Sequence, residues 1–411
     1  MNSLGATKSV LTAGFALLAA AAVSGCRNHD FPDYPANYRE FAYVTNGGSN
    51  TVSVFDVVNI RLDRVIQVGQ NPSGITVNPK RNEVYVVNSG TPQGGDVANA
   101  AGSPTGPNGS ITVIDTEKNA VAATIPVRRQ PYFIDVDPSG EIAYVANSGS
   151  NSVSIVDLNA RREIETVGTG EGPGLARIAP DGKSLVVTNR GANSISILGQ
   201  NGSNRDWRVR SVITGCPGAT DAVILSDSTK AFVACSAGHQ VMVIALARAA
   251  DANSAARADA QEALLDVGRS PVHLALKPDG GEIFVSNFDS NSISEVETST
   301  NDVSGAYLMG SNPVRGLVSG DNSLLYVSNF RSQELTVYSI DDGKRVGPSI
   351  HVGDGPDGLA FSGSGTLLFA VDARSGDVAV IRTSTRSLFT LLPTGRQPNA
   401  IAIKAFRVKA G

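Results

Sequence analysis

The sequence predicts an all-β protein, a β-propeller of eight four-stranded blades, with seven as the alternative count. Three observations carry that prediction. The phrase YVTN at 43–46 returns as YVVN from Tyr85, YVAN from Tyr144, VVTN from Val186, FVSN from Phe284 and YVSN from Tyr326, with degenerate copies FVAC from Phe232 and FAVD from Phe369. A proline recurs at Pro72, Pro131, Pro173, Pro217, Pro271, Pro313, Pro356 and Pro398, a period of about 42 residues with two insertions. Between these landmarks lie only short Val- and Ile-rich runs bounded by Gly, Asn, Asp and Ser, which is the pattern of strands and not of helices.

Each repeat reads as four strands. After the proline comes an apolar run such as GITVNP (74–79) or FIDVDP (133–138), then two or three turn residues and the YVTN strand. A polar turn follows, then an alternating strand such as TVSVFD (51–56) or SVSIVD (152–157). A last strand ends in Val-Gly, as in RVIQVG (64–69) and EIETVG (163–168). Four short antiparallel strands make one propeller blade. The first YVTN strand has no post-proline strand before it, and the last post-proline strand, 399–404, has no YVTN strand after it. The C-terminal strand is therefore expected to complete the first blade and close the ring, removing the exposed sheet edges. The weak repeat around Cys235 is what keeps seven blades open.

Two segments stand outside the period. The Gly-Pro-Asn-rich stretch 90–109 belongs to the turn after a YVTN strand. The segment 245–265, rich in Ala, Arg, Gln, Glu and Leu, favours helix by propensity and emerges on the opposite face.

The repeated YVTN-like strands resemble the YVTN-type β-propeller repeat proteins of prokaryotic envelopes over residues 41–406. That resemblance implies the propeller fold. It leaves function open, because the group includes surface-layer proteins and lipoproteins and neighbours the lactonase-type propellers that hydrolyse sugar lactones.

Residues 1–25 read as an export signal: Lys8 supplies a positive charge, 10–23 is an Ala-Leu-rich stretch too short for a comfortable membrane span, and VSGC ends at Cys26. The small residues before Cys26 resemble the bacterial lipoprotein signal, implying cleavage before Cys26 and lipidation of it. Residues 26–40 then form a tether and 41–406 the propeller. Arg27 after the cysteine implies, by the same resemblance, sorting to the outer membrane. An exported, lipid-anchored monomer is expected, touching the membrane by that anchor alone. Cys216 and Cys235 fall in one blade, before its first strand and at the end of its second; they either bridge or stand as two small apolar residues.

The recurrent asparagines and prolines read as architecture, the asparagines bonding turn amides. Function is expected where the repeats disagree. One column of the innermost strands reads Gly74, Phe133, Leu175, Asp221, His273, Arg315 and Gly358, so that acid, imidazole and guanidinium share one height near the axis on three successive blades. Two residues later, Asp135 and Arg177 sit on adjacent blades. After the recurrent asparagine stand Arg190, Phe288 and Phe330, where other repeats carry Gly or Ser. These residues could converge on a ligand site at the channel mouth or pair among themselves around channel water.

Composition excludes much else. Net charge is −4 and there is no basic stripe with interleaved aromatics, so nucleic acid is not an expected partner. No metal-ligand spacing, no haem-attachment cysteine pair and no phosphate-binding Gly loop occurs, so no metal or cofactor is expected. The expected function is binding, of an envelope protein or a small envelope ligand, through the face bearing the YVTN turns, with catalysis the less expected case. The alternatives are a lactonase-type hydrolase at the channel mouth, with His273, Arg315 and Asp221 as its working groups, and a surface-layer component.

Overall fold

Eight sheets stand around one axis in the computed structural model, which describes residues 32–90, 109–200, 206–248 and 256–408. Each sheet has four antiparallel strands, the seventh being closed by two short outer pieces, Lys344–Arg345 and Ile350–His351. The innermost strands of blades two to eight are Pro72–Val77, Pro131–Val136, Pro173–Ile178, Ala219–Ile224, Pro271–Leu276, Pro313–Val318 and Pro356–Phe361. In the first blade that place is taken by Pro398–Arg407, which pairs along the whole of Tyr38–Asn46. The ring is thus closed by the C-terminal strand, and the count is eight. The first strand starts at Tyr38, three residues inside the expected tether, because Glu40 is buried and accepts from the Gly363 amide of blade eight and from the Tyr38 hydroxyl.

The YVTN strands are apolar on both faces because each sheet is sandwiched between two others. Their leading aromatics, Tyr43, Tyr85, Tyr144, Phe232, Phe284, Tyr326 and Phe369, are fully or almost fully buried and fill the space between blades. Where blade four offers only Val186, Trp207 from its outer strand packs edge-on against Tyr144 at 5.2 Å. Separate apolar clusters lie between successive blades, so the core is a ring of interfaces.

The recurrent asparagine is structural, with different partners from those expected. Instead of turn amides, Asn46 Nδ2 donates to Thr51 and Ser53 on the third strand; Asn189 does the same with Ser194 and Ser196, and Asn287 with Ser292 and Ser294. Residues before the inner strands of blades two to eight take positive φ, as at Asn71 (φ 50), Gly172 (φ 61) and Gly218 (φ 64), which turns the chain sharply into the inner strand.

The helix expected in 245–265 is corrected where it can be seen. Ala260–Asp266 is the outer strand of blade five, paired with Gln240–Ala245, and Arg248 bridges Arg257. Asp259, with no side-chain exposure, accepts from Arg210 Nε and Nη2 (both 2.7 Å), Ser211 Oγ and the Ala247 amide, and so ties this segment to blade four. Residues 249–255, the insertion 91–108 and the signal segment with Cys26 lie outside the described residues. Cys216 and Cys235 are joined in a disulfide, Cα atoms 4.8 Å apart.

Candidate functional site

The axial cavity encloses about 760 Å³ and is lined by inner strands of six blades. Every inner strand carries a β-bulge near its start. In blade three Pro131 pairs with Asn147 and Phe133 with Ala146, so Tyr132 has no partner on the second strand; the same shift occurs at Pro72/Gly74, Pro271/His273 and Pro313/Arg315. A bulge sets two residues against one, and in blades one, two, three and eight both positions after the proline line the channel. Tyr132 with Phe133, Asp357 with Gly358 and Asn399 with Ala400 all line it.

Most of the polar side chains at this height are consumed in stitching one blade to the next. Asp135 accepts from the Ile178 amide of blade four at 3.2 Å, and Asp221 from the Leu274 amide of blade six at 3.0 Å. His273 Nδ1 accepts from the Gly316 amide of blade seven at 3.3 Å. Asn399 donates to the Pro72 carbonyl, Ser73 to that of Pro131, and Thr220 to that of Pro271. The Asp221 and Asp135 carboxylates also accept from the Ala222 and Val136 amides that follow them. These groups are satisfied by the ring itself.

Arg315 and Arg177 are the exceptions. Arg315 lies in the channel wall, yet its side chain is 46% exposed because the channel is open. Its Nε meets Asp357 Oδ1 at 3.3 Å, and neither Nη has a hydrogen-bond partner among the described residues. Arg177 lies over the Phe133 ring at 4.9 Å, with Nη1 3.8 Å from Asp135. Removal from bulk water works against the Arg315 charge, but Asp357 and Asp221 outweigh it and raise its pKa. Burial pushes His273 down to about 4, opposed by Asp221 and assisted by Arg315 and Arg177. The imidazole is therefore neutral near pH 7. With Nδ1 accepting an amide proton, its own proton sits on Nε2, 3.8 Å from Asp221 Oδ2. Burial raises Asp135 against the pull of Arg177 and its two amides.

Of the residues singled out from sequence, His273 and Arg315 line the cavity; Asp221 stands 3.8 Å from His273 and Asp135 3.8 Å from Arg177 on other inner strands, and these three do not line it. Arg190, Phe288 and Phe330 lie farther out, on the turns around the mouth, and do not line the cavity. Phe288 opens a short 3-10 turn and its carbonyl accepts from Asn312; Phe330 carries the Arg374 guanidinium at 4.5 Å. Sequence reasoning missed Tyr132, Asp357 and Asn399, which occupy the column one residue earlier. An alignment of the residue directly after each proline would have shown them. Among the described residues no three His, Cys, Asp or Glu side chains are grouped to hold a metal ion.

A family model described as "Lactonase, 7-bladed beta-propeller" matches residues 41–175, about a third of the chain. No curated protein matches. Among solved structures the chain is similar to the dihydro-heme d1 dehydrogenase NirN in complex with DHE, at TM-score 0.69 and 15% identity, covering 90% of this chain and 76% of that one. It is also similar to the periplasmic gluconolactonase PpgL of Pseudomonas aeruginosa (TM-score 0.56, 16% identity, 89% and 98% covered). A putative 6-phosphogluconolactonase of Bacteroides fragilis gives TM-score 0.57 at 14% identity, with 91% and 99% covered. At these identities the likeness establishes the propeller fold.

Proposed function

We propose that the protein is a binding protein whose channel mouth, on the face bearing the YVTN turns, takes up a small polar ligand gripped by Arg315. One observation carries this: Arg315 presents two unpartnered Nη groups to a cavity large enough for a small molecule, while Asp221, Asp135 and His273 beside it are occupied by backbone amides. Unpaired donors in a preformed cavity are what orient a ligand. The test is a thermal-shift screen of the protein against sugar lactones, cell-wall fragments and small organic acids. A ligand at a hundred times its Kd adds about 2.7 kcal/mol. The expected result is a reproducible rise in Tm that Arg315→Ala abolishes. No rise with any compound would turn the proposal toward a protein partner or self-assembly.

The partial match to the lactonase family favours a second reading, a hydrolase of lactones at the same mouth. His273 is poorly placed as its general base, since its free lone pair is taken by Gly316. Turnover of glucono-δ-lactone by the wild type, lost in Arg315→Ala, would favour this reading; binding without turnover would favour the first. We further propose that the chain is exported and held in the envelope by lipid on Cys26. Cys26→Ala is expected to move it from the membrane to the soluble fraction, and continued membrane retention would reject the anchor.

A further inference from the structure

The turns that surround the mouth carry arginine as their only long basic side chain. They connect outer to inner strands and second to third strands. Among their described residues are Arg129, Arg190, Arg269, Arg331, Arg374 and Arg396, with no lysine. A seventh, Arg128, is bound to Glu163 and Thr166 at the outer edge of blade three. Lysines appear on the opposite face, as at Lys80, Lys183 and Lys277.

Among the described residues the carboxylates of the same turns are Glu171, Asp289 and Asp354. Asp289 already accepts from Ser270, and Asp354 lies 3.8 Å from Arg374. Arg269 Nη2 donates to the Asp289 carbonyl, and Arg374 stacks on Phe330. Arg190, Arg331 and Arg396 are exposed and make no side-chain hydrogen bond or ion pair. The mouth is therefore rimmed by excess positive charge in a chain whose net charge is −4.

Solubility alone does not select arginine over lysine. Arginine's planar fork binds carboxylate and phosphate bidentately, where lysine offers a point charge. A rim of one charge sign around a low-dielectric channel also concentrates ions of the opposite sign. We infer that the ligand of this mouth is a small polyanion, carrying two or more carboxylate or phosphate groups, with one group on Arg315 in the channel and the others on the arginine rim. The inference rests on the reading of the channel as a ligand site. A second recess of about 190 Å³, lined by Asn71, Gln130 and Tyr132, adjoins the mouth and gives the molecule room to reach the rim.

The experiment is calorimetric titration of the full-length protein with four probes: citrate and pyrophosphate as polyanions, acetate as a monoanion and glucono-δ-lactone as a neutral ring. Citrate or pyrophosphate is expected to bind at least tenfold tighter than the other two, with affinity falling as salt is added; which of the pair binds tighter tells carboxylate from phosphate. The triple variant Arg190→Ala, Arg331→Ala, Arg396→Ala is expected to lose about tenfold in polyanion affinity while melting like the wild type. Arg315→Ala is expected to lose binding of every probe. Neutral lactone binding as tightly as citrate, with the triple variant unchanged, would overturn the polyanion inference and leave the channel site standing. No probe bound, or binding indifferent to Arg315→Ala, would overturn both. Polyglutamate is titrated as a fifth probe, and its binding where neither citrate nor pyrophosphate binds would overturn the inference in favour of an acidic polypeptide.

Discussion

In blade eight the YVTN motif becomes FAVD, and Asp372 occupies the place of the recurrent asparagine with no solvent exposure. Elsewhere the asparagine Nδ2 donates to hydroxyls five and seven residues on; here those positions are Asp377 and Ala379. The Asp372 Oδ2 accepts from the Gly353 amide at 3.0 Å, while the buried Oδ1 atoms of Asp372 and Asp377 find no donor. Burial, then the neighbouring Asp377, pushes Asp372 up to about 8. The folded state therefore holds a proton that the unfolded chain releases near pH 3.8. Stability from this group is full below that value, declines as pH rises, and is lost by about 8. At about 1.4 kcal/mol per unit over some three units, the loss by pH 7 is at most about 4 kcal/mol. Asp372→Asn restores a donor facing Asp377 and removes the titration. A gain of about 2 kcal/mol at pH 7 corresponds to about 3 °C in Tm for a domain of this size. Calorimetric melts of both proteins from pH 4 to 9 provide the assay, because titrations elsewhere cancel in the difference. The variant's advantage is expected to widen from pH 4 to 8 and then hold level. A difference that stays flat across that range, or a variant less stable than wild type throughout, would refute the proton held by Asp372.

Two other perturbations test the frame around the site. Reducing the Cys216–Cys235 bridge, which spans 19 residues, is expected to cost about 3 kcal/mol by the loop-entropy relation, seen as an earlier urea midpoint in dithiothreitol. An unchanged midpoint would mean that the bridge adds no stability. Asp259→Asn breaks a bidentate ion pair with the exposed Arg210 and is expected to destabilise by about 1 kcal/mol at pH 7. Burial alone would raise Asp259, but Arg210, Ser211 and the Ala247 amide hold it below its ordinary value. Its contribution is therefore present above that value and lost as pH falls through the folded one, so the gap between wild type and variant in urea melts is expected to close in acid. A gap that persists at low pH would assign the loss to packing.

The propeller was legible because its determinants repeat. A buried aromatic at Tyr43, Tyr85 or Tyr326 and an unpaired C-terminal strand each have a counterpart about 42 residues away that fixes the reading. The helix expected over 245–265 failed at its C-terminal end because local propensity lost to the period: blade five needs a fourth strand, and Ala263 and Leu265 pack against its core. Tyr132 and Asp357 escaped notice because a bulge turns two consecutive residues toward the axis, whereas strict alternation allows only one. The partners of Asp221 and His273 were equally hidden. Which amide takes a lone pair depends on the height of the next blade, and nothing in the residue's own strand records that.

That accounting separates structural from functional polarity at the axis. A propeller brings bulged inner strands together, and their amides and carbonyls near the bulges need partners that the ladder does not supply. Aspartate, asparagine, serine, threonine and neutral histidine can all serve, so a polar residue in the channel is by itself weak evidence for a ligand. Arginine differs. It has five donors and no acceptor, so it cannot take an amide proton from the next blade. One bond to Asp357 leaves most of the Arg315 donors to water. A ring needing only closure would gain nothing from a guanidinium there that an apolar residue could not give. Arg315 is thus the group whose presence the fold does not explain, and it is where substitution is expected to alter binding while leaving the eight blades intact.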